Sequence, residues 1–155
     1  MAASKKNFPK RKENPKSREI GSKQDPNSYY HMYPSWRFNI CDEEKWAFNE
    51  DHAGAYFWNN ILPNLKNWEK MTWQDILVTN KKSNHSIDLQ SLNPSAQRRF
   101  EELCIEAESI ISLRIQGTYR IYGYIGESSS FCILWFDDNH GDNDECVCRS
   151  YKKHT

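Results

Sequence analysis

The feature that most limits what this chain can fold into is a change of hydrophobic period along it. Trp58, Ile61, Leu62, Leu65 and Trp68 recur at i, i+3, i+4, i+7 and i+10, the spacing of one helix face. From Leu113 onward the period is two. Leu113 and Ile115 alternate with Ser112, Arg114 and Gln116, and Ile121, Gly123 and Ile125 alternate with Arg120, Tyr122 and Tyr124. Phe131 to Phe136 is an unbroken apolar run, as in a strand covered on both faces. Gly117-Thr118 and residues 126–130 supply turns, so the C-terminal half predicts a three-stranded antiparallel meander.

Ahead of it, Trp36, Phe38 and Ile40 alternate with Arg37 and Asn39, predicting a short strand that stops at Asp42. The helical pattern is expected to run from Glu44 to about Met71, kinked or divided at Pro63. Thr72 with Asp75 resembles a capping box, and the Lys81-Lys82-Ser83-Asn84 stretch reads as a loop. Asn93-Pro94 marks a helix start whose apolar face holds Ala96, Phe100, Leu103, Cys104 and Ala107, with the cysteine read as core. The fold class is therefore α+β: an N-terminal strand, helices, then the meander packed by the helices.

Register decides what shares a face, because a one-residue slip turns every side chain over. A three-residue loop, Gly117 to Tyr119, pairs Arg114 with Tyr122 and Ile115 with Ile121, and keeps charge away from core. It puts Arg114, Arg120, Tyr122 and Tyr124 on one face and Leu113, Ile115, Ile121 and Ile125 on the other.

Length, at 155 residues, suits one domain, and six Trp, eight Tyr and seven Phe supply its core. The expected division is a disordered basic arm over 1–27 and a single domain over 28–155. Residues 1–24 hold eight Lys or Arg against Glu13 and Glu19, a net +6, which leaves −6 on the remainder of a neutral chain. Such an arm can touch nucleic acid or simply keep the chain soluble. The five cysteines are odd in number and irregularly spaced, and neither a signal-type apolar segment nor an 18-residue apolar run occurs. These features predict a reducing, cytoplasmic setting with no membrane contact. Cys146-x-Cys148 lacks the second ligand pair of a zinc site, and the acids from Asp137 to Asp144 do not match a calcium loop, so no metal or other cofactor is expected.

The order strand, helices, meander, with an Arg-rich hairpin reading Ser112-Leu113-Arg114-Ile115 and Tyr119-Arg120-Ile121-Tyr122, resembles the RelE/ParE superfamily of toxin proteins. The segment Ile133-Leu134-Trp135-Phe136-Asp137-Asp138-Asn139-His140 and the ending Tyr151-Lys152-Lys153-His154-Thr155 are similar to poorly characterised RelE-like proteins. The resemblance covers about residues 34–155. It implies a small sheet packed by helices, an antitoxin protein as partner, and metal-independent endoribonuclease action on mRNA at the ribosome. A ParE-type gyrase inhibitor and a non-enzymatic protein-binding module on the same fold are the alternatives.

RNA cleavage by its own 2′-OH needs a base for that hydroxyl, an acid for the departing oxygen, and cations for the phosphorane. Arg114 and Arg120 suit the phosphate, because a guanidinium makes two parallel hydrogen bonds to it. His140 or His154 can shuttle the proton, Lys152 or Lys153 can stabilise the leaving oxygen, and Tyr122 and Tyr124 can stack a base. Each has a plainer competitor: a solvated sheet face for the arginines, a frayed basic terminus for the last five residues, a hydrogen-bonded loop for His140. Asp137, Asp138, Asp142, Asp144 and Glu145 would repel RNA beside the proposed site.

Overall fold

The computed structural model describes residues 28–126, 129–140 and 146–148; the arm expected over 1–27 lies outside the described residues. Five strands form one sheet: β1 (Ser35–Arg37), β2 (Asn84–Asp88), β3 (Ser109–Gln116), β4 (Tyr119–Ile125) and β5 (Ser130–Asp137), in the order β1-β5-β4-β3-β2. β1 runs parallel to β5 and the other neighbours are antiparallel. The fold is thus α+β, but its sheet is five-stranded and mixed where a three-stranded antiparallel one was expected. β2, whose first residue was expected in a loop, has little strand propensity beyond Ile87. It is held from outside: the buried Asn84 donates its side-chain amide to the Ile76 carbonyl (3.2 Å) and accepts the Arg114 N–H (2.9 Å).

Both faces of the sheet are covered. On one, Ile61, Leu65, Trp68, Trp73 and Ile76 from the helical segments at 54–68 and 73–79 pack on Leu113, Ile121, Phe131, Ile133 and Phe136. On the other, Ala96 and Phe100 of the Pro94–Glu102 helix, with Leu92 and Val147, pack on Ile110, Tyr122, Leu134 and Trp135. β5 serves both faces by means of a bulge: Tyr122 pairs with Trp135 and Gly123 with Ile133, leaving Leu134 as the extra residue. Leu134 and Trp135 therefore enter one core, Ile133 and Phe136 the other.

The first long helix begins at Gly54, well after Glu44, and passes through a π turn at Phe57–Ile61 before Leu62–Trp68. That wide turn, closed by the Leu62 N–H on the Phe57 carbonyl, comes just ahead of Pro63, whose ring and missing N–H suit regular α bonding poorly. It also adds a residue to the turn and rotates the Leu62–Trp68 segment relative to the residues before it. Ile61, Leu65 and Trp68 are buried, whereas Trp58, expected on the same apolar face, is 68% exposed. The Thr72/Asp75 capping box forms as expected, with two reciprocal bonds of 3.2 Å. Cys104, expected in the core, is exposed just past the Pro94–Glu102 helix, in a left-handed conformation at φ 55. β1 is shorter than the alternation suggested, because Phe38 leaves the sheet to meet Phe48 and Phe57. Among the described residues no helix is long and apolar enough to cross a membrane.

A buried carboxylate links these layers. Asp42, 2% exposed, accepts Arg99 Nε (2.8 Å) and Nη2 (2.9 Å), Trp135 Nε1 (2.9 Å) and the amides of Glu44 (2.9 Å) and Lys45 (3.3 Å). Burial pushes its pKa upward, but the hydrogen bonds, led by Arg99, outweigh it and hold the group at about 2.

A Cβ on Gly123 would collide with the Cys132 carbonyl oxygen and stand 2.7 Å from the Phe131 ring, so Gly123→Ala should cost about 1–3 kcal/mol by urea denaturation. Asp42 titrates lower folded than unfolded, so its stabilisation is complete above about pH 4 and is lost as pH falls toward 2. Arg99→Met should lower stability at neutral pH by on the order of 3 kcal/mol, and that deficit should shrink as pH falls from about 4 toward 2, because without the guanidinium burial lifts the folded pKa of Asp42 toward its unfolded value or above it. Asp137, which burial shifts upward, titrates in the opposite sense, so the difference between wild type and Arg99→Met across a pH series isolates Asp42.

Candidate anion-binding site

The two arginines of the hairpin meet across it. β3 and β4 are joined by Gly117-Thr118 alone, with Gly117 at φ 53, a value that favours glycine. Leu113 faces Ile121, Arg114 faces Arg120 and Gln116 faces Tyr119, with the register shifting around Ile115. The expected three-residue loop and the Arg114/Tyr122 and Ile115/Ile121 pairs are therefore corrected. The bulge absorbs the offset that the longer loop was expected to absorb, and Ile115 still reaches the core with Leu113.

Cross-strand partners project to the same side, so Arg114, Arg120 and Tyr122 share a face. That face is not the open surface expected of it. Tyr122 is fully buried under the second core, and burial drives its pKa well above the usual tyrosine value. A ring with no exposed surface cannot stack a base, which removes Tyr122 from that role. Tyr124 is half-buried and lies beside Cys132, four residues along β4 from Arg120, or about 13 Å. It does not join the arginine cluster.

Arg114 is exposed and Arg120 half-buried. Arg120 Nη1 folds back to donate to the carbonyls of Gly117 (2.6 Å) and Tyr119 (3.3 Å), clamping the turn. Burial lowers its pKa and the neighbouring Arg114 charge lowers it further, against the attraction of Asp137. Among the described residues neither arginine forms an ion pair with a carboxylate; every such pair belongs to Arg99.

His140 comes to the same end of the sheet. Its N–H donates to the Thr118 carbonyl (3.1 Å), Thr118 Oγ1 donates to the Asp138 carbonyl (3.0 Å), and His140 Nδ1 shares a 3.2 Å hydrogen bond with Tyr122 OH. Asp137, opposite Arg120 in register and 1% exposed, accepts the amides of Asn139 (2.9 Å) and Val147 (2.8 Å). Its carboxylate is thus committed to holding two chain segments against the sheet end. Lys152, Lys153 and His154, like Asp142, Asp144 and Glu145, lie outside the described residues.

Arg114, Arg120 and His140 therefore gather at one end of the hairpin, as an exposed cation, a half-buried cation and a tethered imidazole. Such a set can hold an anion and exchange a proton with it. Thr118, Asp138 and Tyr122 position His140; the pairing of Thr118 with a residue twenty positions away leaves no mark in local sequence. Among the described residues no group of three metal-ligating side chains occurs. Cys146 and Cys148 are buried, and the Cys146 thiol donates to the Cys148 carbonyl (2.9 Å). Burial pushes the Cys41 thiol up to about 12, far from the thiolate a nucleophile needs. No family model matches the chain, and no match was found among curated proteins or solved structures.

The two arginines should separate in their effect on folding. Arg114→Ala should change stability by less than about 0.5 kcal/mol, whereas Arg120→Ala should cost about 1 kcal/mol as the turn carbonyls lose their donor, both read from chemical denaturation midpoints.

Proposed function

We propose that this chain is a RelE-like, toxin-type protein that meets RNA through the Arg114 and Arg120 end of its sheet. The observation that supports it is the cross-strand pairing of the two guanidiniums with no carboxylate ion-paired to either among the described residues. Like charges set opposite each other on a sheet cost stability. A phosphate bound between them removes that cost, which makes the pairing understandable as a site. On this reading Arg114 reaches a phosphate oxygen from the exposed side and Arg120 supplies the second, more fixed cation. His140 carries the proton, oriented by Tyr122, and the tyrosine acts behind the site rather than as a stacking platform. The RNA's own 2′-OH is the nucleophile, attacking the adjacent phosphorus while the 5′-oxygen departs.

A non-enzymatic reading on the same fold draws on Arg120, whose guanidinium already serves two backbone carbonyls. Binding and cleavage assays distinguish the two. Inducible expression of the full chain in a bacterial host should arrest growth with cleavage of transcripts. The purified protein should bind a labelled single-stranded RNA with an affinity that falls as salt rises. The Arg114→Ala, Arg120→Ala double variant should lose about tenfold or more in affinity, and His140→Gln should bind RNA yet leave it intact. A stoichiometric protein partner recovered with no RNA would favour the non-enzymatic, protein-binding reading. Normal growth, intact transcripts and no salt-dependent RNA binding would remove the RNA reading altogether.

A further inference from the structure

The helical segment at 54–68 carries a face that nothing in the described residues covers. Trp58 stands on its π turn, 68% exposed, and the edge of Phe57 is its aromatic neighbour (5.2 Å, 90°). Beside it opens a cleft of about 550 Å³ walled by Phe38, Phe48, Ala53, Gly54 and Phe57, with Glu50 on its rim. Phe38 is itself 43% exposed. On the other side of Trp58 a shallower groove of about 360 Å³ runs past Leu62 and Pro63 to Lys66 and Lys70.

The order along this face is acid, hole, aromatic knob, base. Lys66 lies eight residues beyond Trp58; with one residue added by the π turn this is about two turns, so both point the same way, about 12 Å apart. Glu50, eight residues before Trp58, lines the cleft, whereas Lys66 and Lys70 line the groove on the other side of Trp58, which borders both. A face so arranged complements itself. Turned by a two-fold axis near Trp58, a second copy brings its tryptophan over the first cleft, receives the first tryptophan in its own, and lays Lys66 and Lys70 against Glu50 at both ends.

We propose that this chain forms an isologous, antiparallel homodimer through the Trp58 face, with each Trp58 seated in the cleft of the other copy. A peptide from another protein could fill the apolar cleft, but it would have no need of a knob beside the hole or of opposite charges at the two ends. The apolar content is small, two exposed aromatics per copy, so the dimer is of micromolar rather than nanomolar strength.

Sedimentation velocity of the full chain over a concentration series tests this. The expected result is a reversible monomer–dimer equilibrium whose dissociation constant rises about thirtyfold or more in Trp58→Ala, the loss a central tryptophan carries. Because Trp58 is largely solvent-exposed, that variant should keep the wild-type circular dichroism and unfolding midpoint. Glu50→Lys and the Lys66→Glu, Lys70→Glu pair should each weaken the dimer, and the three together should restore most of it. A monomer at every concentration, or a dimer unmoved by Trp58→Ala, overturns the proposal. A dimer lost with Trp58 but not rescued by the triple charge reversal overturns the antiparallel arrangement. These readouts involve no RNA, so their failure and that of the Arg114 and Arg120 reading are independent.

Discussion

The interaction on which the rest of this structure depends is the buried carboxylate of Asp42. Its two oxygens receive both the Nε and Nη2 of Arg99, the indole N–H of Trp135, and the amides of Glu44 and Lys45. An ion removed from water costs several kcal/mol unless its hydrogen-bonding capacity is filled, and here it is filled from three separate parts of the chain. Helix 94–102, strand β5 and the 40–46 loop are brought to one point, and none of them can shift without stranding a charge. Arg99 adds Glu102 at 2.9 Å and Glu44 at 3.5 Å, which helps to fix the guanidinium over the carboxylate.

The same region explains how one strand can serve two cores. Past the end of β1, which pairs with β5 only as far as Cys132, the Leu134 carbonyl is taken by the Asp42 N–H at 2.9 Å. Two residues on, Phe136 N–H donates to the Trp46 carbonyl at 2.8 Å. The 40–46 loop thus continues along the β5 edge from the point where β1 stops, and Trp46 packs against Trp135 at 4.9 Å. On the opposite side Gly123 leaves room for the Phe131 ring, which a side chain at that position would displace. The bulge, the glycine and the carboxylate act together: the first sends Leu134 and Trp135 to one core and Phe136 to the other, the second admits the Phe131 ring, and the third locks the loop that packs on Trp135.

Much of this organisation was legible in residue spacing and much was not, for identifiable physical reasons. The capping box of Thr72 and Asp75 and the helix start at Asn93-Pro94 were readable because their signals are local. Even so, the Asn93 side chain does not cap its own helix; it donates to the Cys146 carbonyl at 2.7 Å, a partner 53 residues away. A period of 3.6 does not anticipate the π turn that brings Trp58 to the surface, and alternation alone carries no trace of the bulge at Ile115 that sets Arg114 opposite Arg120. Asp42 read as the end of a strand, since its partners Arg99 and Trp135 stand 57 and 93 residues downstream. The candidate site was legible as a set of cations, while its geometry was not. Tyr122 has the spacing of a surface residue, and only the 94–102 helix, which covers its strand, makes it core.

That covering bears on what the hairpin can do. With both faces of the sheet given to cores, a functional surface is confined to the strand ends and to the outer faces of the helices. The Arg114 and Arg120 pair uses the first: it sits where β3 and β4 outrun the helix that covers Tyr122, so one guanidinium stays exposed while the other is half-buried. A charge held at such a margin is partly desolvated, which strengthens its attraction for an anion without committing it to an internal carboxylate. The buried Asp137 opposite Arg120 limits that attraction, yet both of its oxygens are already engaged by the amides of Asn139 and Val147. Those bonds leave its charge in place, so with Asp138 beside it the acid offsets part of the pull of the two guanidiniums, and the outward-facing Arg114 is the cation an incoming anion meets first.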